Sequence, residues 1–444
     1  MKIRIGIRRE EKNPWERRTP LIPVHVREMV KNNPIEVWIQ PSSIRIFSDN
    51  DYLQEGARIE EDLAPCSIIF AIKEIPLSFF KKEKVYIFFS HTIKGQTHNM
   101  PMLQRMIDLE CTLIDYERII NEKGQRLLFF GLQAGQAGMI DTLWALGQRL
   151  NHENIKNPFS SIKLAHEYGS LVAAKEAIKK AGWKIHDDGL DLSLVPLVFG
   201  FAGYGNVSQG AQEILDLLPY KKVEPEKISS FFERKNYSAS SIYKVVFKEE
   251  HMVKPIKSDQ KFDLQDYYDN PQKYKSIFDS YLSFLTVLVN CIFWTPKYPR
   301  FATKKSLKQL FMKSDKPRLR VIGDISCDIE GSVECTLRAT TPDNPVFVYD
   351  PIEEKTRDGV EGRGIVTMAT DNLPAEISLE SSIFFSNALM PLVPAIAKAD
   401  FSADFADCNL PDAVKKAVIL YKGKFTPDYE YMKNFINQFK GETQ

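Results

Sequence analysis

The sequence predicts an α/β protein of two or three domains, and three observations carry that prediction. Short apolar runs of strand length alternate with helical patterns over the first 130 residues. Near residue 200 a hydrophobic strand enters a glycine-rich turn and leaves it as a helix. The chain of 444 residues exceeds one ordinary domain, at about 100–200 residues each.

The elements follow in order. Residues 3–7 alternate with period two and read as a strand, and residues 23–31 read as a helix with Pro23 in its first turn. Residues 67–72 and 85–89 are continuous apolar runs between polar or proline-containing segments, the pattern of buried strands in a parallel sheet. A helical pattern covers 102–109. A long helix is expected over 138–150, with Leu143, Trp144, Leu146 and Leu150 on its inner face, and a second over 162–181, ended by Gly182 as a C-cap. The strand from Leu194 leads into the glycine turn, the helix beyond it extends through 212–218, and 221–224 reads as the next strand. Residues 225–280, rich in Lys, Asp, Tyr and Pro with weak periodicity, read as an elaborated, loop-like stretch. Residues 318–324 form another strand, and 379–397 a helix that Pro391 and Pro394 should kink or split.

Composition excludes several functions. With 59 basic against 58 acidic residues, no bulk field favours nucleic acid or an anionic membrane. Apolar and charged fractions of 43% and 26% exclude disorder, collagen and coiled coil. The six cysteines form no CxxC pair, which argues against a disulfide framework or a structural zinc site. Seven scattered histidines without an HExxH motif argue against any metal centre. The longest apolar stretch, 281–294, is broken by Ser283, Thr286 and Asn290 and falls short of the roughly 20 residues a membrane span needs. The N-terminus lacks a signal-peptide core, so a soluble, cytoplasmic protein is expected. There is no GxSxG elbow and no phosphate-binding P-loop. The lysine runs at 81–84 and 304–305 lack the interleaved aromatics of a nucleic-acid platform.

The clearest motif is Gly203-Tyr-Gly205-Asn206-Val207-Ser208-Gln-Gly210 between a strand and a helix. Gly203 would make the tight turn and Gly205 would admit a pyrophosphate to the helix N-terminus, beside Asn206 and Val207. Ser208 replaces the third glycine and, being small, still permits close helix packing. The alternative is a purely structural glycine turn. Glu224, 21 positions after Gly203, stands where a carboxylate would hold a ribose 2′-hydroxyl and favour NAD. Lys221 and Lys222 beside it could instead neutralise a 2′-phosphate, or form only a solvated strand edge.

A second signal is a set of ionisable residues just after the predicted strands: Arg8-Arg9-Glu10 with Glu16-Arg17-Arg18, then Lys73-Glu74, His91 to Gln96, and Asp115-Tyr116-Glu117. Ligands of open α/β sheets bind outside the carboxyl ends of the strands. Each cluster alone is compatible with an exposed loop; several together point to a site for a charged small molecule.

These residues carry a resemblance. The segments Ile-Arg-Arg-Glu-Glu-Lys-Asn-Pro-Trp-Glu-Arg-Arg-Thr-Pro-Leu-Ile-Pro (7–23), Phe-Ser-His-Thr-Ile-Lys-Gly-Gln (89–96), Gly-Tyr-Gly-Asn-Val-Ser-Gln-Gly-Ala-Gln (203–212), Gly-Asp-Ile-Ser-Cys-Asp-Ile-Glu-Gly-Ser (323–332) and Thr-Asp-Asn-Leu-Pro-Ala (370–375) occur in order along nearly the whole chain. They resemble the lysine–2-oxoglutarate reductase domain of the α-aminoadipic semialdehyde synthases, within the saccharopine and alanine dehydrogenase family. The resemblance implies two doubly wound, Rossmann-like α/β domains with the active-site cleft between them. A discontinuous substrate and catalytic domain would take 1–130 with 346–444, and a dinucleotide-binding domain 131–345. It implies reductive condensation of the lysine ε-amine with 2-oxoglutarate to saccharopine, with NADP(H) slightly favoured over NAD(H) and no metal. By motif position it implies Lys73 as general base, His91 as general acid and Arg18 as the grip on a substrate carboxylate. Glu16, Glu74, Lys94, Gln96 and Glu117 would line the site and tune those groups, and Asp324 would lie near cofactor and substrate. Bifunctional relatives carry a further saccharopine-cleaving domain, so that step is expected in a separate enzyme.

The chemistry gives these types a reason. Imine formation needs a neutral amine and loss of water, hence a base and an acid near neutral pH. A lysine serves as base only if burial or neighbouring cations depress its pKa, and Glu74 beside it works the other way. Two alternatives stand beside this reading: a related dehydrogenase using another amine or keto acid, and a nucleotide-binding sensor that lost the chemistry.

Overall fold

The apolar runs of the N-terminal part are the strands of a parallel sheet. In the computed structural model, which describes residues 3–442, β1 (Ile3–Ile7), β2 (Ile35–Ile39), β3 (Arg58–Ile59), β4 (Ile68–Phe70), β5 (Val85–Phe88) and β6 (Thr112–Asp115) lie parallel in the order β3-β2-β1-β4-β5-β6. Strands β4, β5 and β6 are buried at every position, which is why they read as unbroken apolar runs. The helix Pro23–Asn32 buries Val26 and Met29, one turn apart, and Met100–Asp108 buries Met102, Leu103 and Met106. The chain lays strands first to one side of β1 and then, from β4, to the other, so strand order reverses between β1 and β4.

The middle of the chain builds a second sheet. Its strands are β7 (Val198–Ala202), β8 (Tyr220–Lys222), β9 (Ile242–Phe247), then, after a small antiparallel pair β10 (Val253–Pro255) and β11 (Tyr274–Ser276), β12 (Val287–Asn290), β13 (Val321–Asp324), β14 (Val346–Asp350), β15 (Lys355–Asp358) and β16 (Ile365–Met368). Their order is β8-β9-β7-β12-β13-β16-β14-β15, with β14 antiparallel to both neighbours. Phe199 and Phe201 of β7 feed one apolar core and Val198 and Ala202 the other, so both faces of this sheet are covered. The helices Gly131–His152 and Asn206–Leu215 touch backbone to backbone: a Cβ on Gly135 would fall 1.9 Å from the Val207 carbonyl oxygen, and one on Gly210 2.0 Å from that of Leu132. The chain returns to the first sheet with β17 (Val418–Tyr421), antiparallel to β6, and β18 (Lys424–Phe425) beside it.

The two units are therefore Met1–Phe130 with Ser378–Gln444, and Gly131–Ile377. The sequence reading returned the chain to the first unit at 346. Strand β16 pairs with β13, β14 with β16 and β15 with β14, which holds 346–377 in the second unit instead. Two further elements differ from expectation. The helix expected over 162–181 spans Leu171–Asp188, capped by the Ser170 hydroxyl and ended by Gly189 at φ +75°. Gly182 lies inside it, where a Cβ would come 2.9 Å from the Leu217 carbonyl oxygen. Residues 225–280, read as loop-like, contain the fully paired β9 and the helix Ile228–Arg234. A lysine in the apolar run disguised β9: Lys244 is buried with its ammonium on Asp216 and over the Tyr220 ring. Residues 379–397 are split, as their prolines required, into Ser378–Leu389 and Val393–Ala397. Among the described residues no helix is long and apolar enough to cross a membrane.

Candidate active site

In the first unit, β1, β4, β5 and β6 are consecutive neighbours, and each delivers charged groups from its carboxyl end. The Arg18 guanidinium, after β1, gives its Nε and Nη2 to the two Glu16 oxygens at 2.7 and 2.6 Å and lies 4.3 Å over the Phe130 ring. Both side chains are buried, so the pair presents a guanidinium fixed in plane and orientation. Lys73 follows β4 and is half-buried. Among the described residues no hydrogen bond or ion pair holds its amine. Burial, joined by the Arg18 and Lys12 charges, lowers its pKa against the opposing pull of Glu16 and Glu74.

The backbone that carries Lys73 is held from behind. Arg8 N donates to the Phe70 carbonyl, the last rung between β1 and the β4 segment before they part. Beyond it the buried Glu10 carboxylate takes over the ladder, accepting from Ile72 N at 2.6 Å and Lys73 N at 3.1 Å. Burial and the nearby Glu16 charge push Glu10 up to about 7, against those two amides and Arg8.

His91 follows β5 in a left-handed conformation, φ +48°, with its ring stacked on Phe89. Its Nδ1 lies 2.7 Å from Glu74 Oε1, while Lys12 Nζ donates to Glu74 Oε2 at 3.1 Å. Burial raises the Glu74 pKa, but the His91 hydrogen bond and charge, with Lys12, outweigh it and hold the carboxyl well below the usual carboxylate range. An ionised Glu74 orients the ring with Nδ1 as donor and leaves Nε2 as the exchanging nitrogen. Asp115, at the end of β6 and fully buried, accepts from Ser90 N at 3.0 Å and Glu117 N at 2.8 Å, and from the Ser90 hydroxyl, tying the β5 and β6 ends together. Glu117 pairs with Arg126. Gln96 Oε1 accepts from Lys94 N at 3.2 Å, closing the local turn, and Lys94 is exposed.

In the second unit, Gly203 at φ +95° makes the turn after β7; a Cβ there would meet Ile292 at 2.8 Å. Gly205 caps the helix Asn206–Leu215, and beyond its own chain neighbours no heavy atom lies within 4 Å of where its Cβ would stand, so a cradle opens at the helix N-terminus. Ser208 is fully buried and accepts from Gln212 at 2.9 Å; the close helix contact assigned to it is made by Gly210. Asp324, at the end of β13, is also fully buried. Its Oδ1 accepts from Asn290 and Ser326 at 2.7 Å each, and its Oδ2 from Thr336 at 2.5 Å. Both oxygens are thus committed to its own chain, and it ties the β12 and β13 ends together.

The alanine dehydrogenase/PNT N-terminal domain family matches residues 6–137 and the corresponding C-terminal domain family residues 294–428, together more than half of the chain. This chain belongs to the saccharopine and alanine dehydrogenase family. It is 38% identical over 445 residues to the α-aminoadipic semialdehyde synthase of Arabidopsis thaliana, an overlap of 96% of this chain and 41% of that protein. It thus spans less than half the length of that relative. A saccharopine dehydrogenase (NAD(+), L-lysine-forming) of Emericella nidulans is 24% identical over 405 residues, covering 86% of this chain and 89% of that one. The fold matches a solved L-alanine dehydrogenase with TM-score 0.63 at 16% identity, over 98% of this chain and all of that one.

In this family member, the first sheet brings together Glu16, Arg18, Lys73, Glu74 and His91, linked through Lys12 and Glu10. Glu117 is turned to Arg126, and Gln96 to its own turn. Lys222 and Glu224 are set apart from the glycine turn: β9 lies between β8 and β7, and Lys222 pairs with Lys244, which stands level with Phe199 rather than with Gly203. Sequence reasoning named Glu10 and Asp115 within the strand-end clusters but gave them no role, and missed Lys12 and Arg126. The signal for Glu10 and Asp115 was their place as acidic residues at strand ends; the structure adds that both are buried.

Proposed function

We propose that this chain catalyses the reversible, nicotinamide-dependent condensation of L-lysine with 2-oxoglutarate to saccharopine. The half-buried Lys73 amine carries this reading: its pKa is depressed by burial and by two cations, and the Glu74-oriented His91 stands at the next strand end. In the condensing direction neutral Lys73 takes a proton from the ε-ammonium of the substrate, freeing the amine to attack the keto carbon. Protonated His91 gives its Nε2 proton to the carbinolamine hydroxyl, which leaves as water. The fixed Arg18 guanidinium orients donors toward substrate carboxylates. The residues of the second unit fit a dinucleotide: the Gly203 turn and the open cradle at Gly205 and Asn206 suit a pyrophosphate, and the nicotinamide, when bound, supplies the hydride.

The test is oxidation of NADH and of NADPH, followed by absorbance, with 2-oxoglutarate and with or without L-lysine. Lysine-dependent oxidation is the expected outcome. Oxidation supported by ammonia but not by lysine would move the substrate to an alanine-dehydrogenase type of reaction. No oxidation with any amine, despite dinucleotide binding, would leave a sensor.

A further inference from the structure

We infer that Glu249, and not Glu224, is the carboxylate that reads the adenosine ribose of the dinucleotide, and that it selects NAD(H) over the 2′-phosphorylated form. This deepens the function proposed above and rests on it for the dinucleotide itself.

The fingerprint places the ribose-binding acid at the carboxyl end of the strand beside the glycine turn. Counting along the sequence assigns that place to Glu224 only if β8 is the neighbour of β7. Here the neighbour is β9. Phe247, its last residue, pairs with Ala202, and Gly203 N donates to the Phe247 carbonyl at 3.0 Å. Residues 248–249 therefore leave the sheet level with Gly203 and Tyr204. Strand β8 is two interstrand spacings from β7, roughly 10 Å. It also ends short, for its last pair is Lys222 with Lys244, level with Phe199 in the middle of β7. Val223 makes one more bond, to the Lys244 carbonyl at 2.9 Å, before the chain turns away at Pro225.

The Glu249 carboxylate is held in place. The Tyr268 hydroxyl donates to its Oε1 at 2.8 Å, and burial together with the Glu249 charge raises the pKa of Tyr204 on the glycine turn. The charges near it are Lys248 and Glu250, with His251, on its own segment and, on the adjoining loop, Glu226 with Lys227 beside it. Glu226 is bonded by His251 Nε2 at 2.7 Å, and His251 Nδ1 accepts from Lys248 N at 3.0 Å, so the loops after β8 and β9 are tied together. A fixed carboxylate repels a dianionic 2′-phosphate, whereas a 2′-hydroxyl donates to it in a charge-assisted bond.

Calorimetric titration of the full chain with NADH and with NADPH tests this without turnover. The unsubstituted protein should bind NADH about tenfold or more tightly than NADPH. Glu249→Gln should weaken NADH about tenfold and narrow the ratio, and Tyr268→Phe should move it the same way by a smaller factor. Glu224→Gln should leave both affinities within about twofold. Tighter NADPH binding by the unsubstituted protein, or a ratio that moves with Glu224→Gln and not with Glu249→Gln, overturns the assignment while leaving the dinucleotide reading intact. Failure of both dinucleotides to bind a chain with a native circular-dichroism spectrum overturns that reading and the assignment with it.

Discussion

Lys73 illustrates how a residue's environment decides its chemistry. Glu74, next in the chain, would by itself keep the amine charged. Its carboxylate is instead occupied by His91 and Lys12, so burial and the Arg18 and Lys12 charges prevail. Turnover should therefore rise with pH as Lys73 loses its proton, at a pH below the ordinary lysine range. Lys73→Met and His91→Gln should each lower turnover about 100-fold or more, with NADH affinity by titration within about twofold of the unsubstituted protein. Unchanged turnover in both would dismiss the acid–base assignment. Glu10 acts through the backbone, since its two oxygens accept from two consecutive amides. Glu10→Gln replaces one acceptor by a donor facing an N–H and should slow turnover about tenfold. Faster amide exchange at Ile72 and Lys73, with the rest of the chain unaltered, would report the loosened hold; unchanged exchange would deny it.

At the scale of elements, the helix Gly131–His152 carries a buried acid whose partner lies far along the chain. Asp141 Oδ1 accepts from Ala165 N at 2.8 Å, and Glu376 Oε2 lies 3.3 Å from His166 Nδ1. The remaining oxygens, Asp141 Oδ2 and Glu376 Oε1, are buried without a hydrogen-bond partner among the described residues, and the two carboxyls interact electrostatically. Burial, with Asp141 and Glu376 repelling each other, raises Asp141 well above the usual range, and burial pushes Glu376 up to about 7. Both pKa values are raised on folding, so the folded state holds protons that the unfolded chain releases above about pH 4. Stability should then fall as pH climbs from about 4 towards 7 and beyond. Asp141→Asn keeps the acceptor for Ala165 and can donate to Glu376. It should raise the unfolding midpoint by about 2–4 °C at pH 8 and by less at pH 5. An equal shift at both values would exclude the titration of this buried acid pair as the source.

For the molecule as a whole, the second unit is one continuous segment with its own sheet covered on both faces, whereas the first is assembled from two separated segments. Residues 131–377 expressed alone should fold cooperatively and bind NADH, as thermal unfolding followed by circular dichroism, and titration, would record; a non-cooperative melt would count against independent folding. The strands β1, β4, β5 and β7, the split near Pro391 and Pro394, and the glycine turn were legible from the chain because each rests on local periodicity or on one residue's backbone limits. Lys73, His91 and Arg18 were legible by resemblance and by their places at strand ends. The strand order β8-β9-β7, the return to the first unit at Ser378, the pairing of Arg18 with Glu16 and the hold of Glu10 on Lys73 were not. By itself the sequence determined which segments are strands and helices and which chemical groups stand at their ends. Only the tertiary structure decided which ends are neighbours, because strand pairing and charge pairing join residues far apart in the chain, where neither period nor spacing reaches.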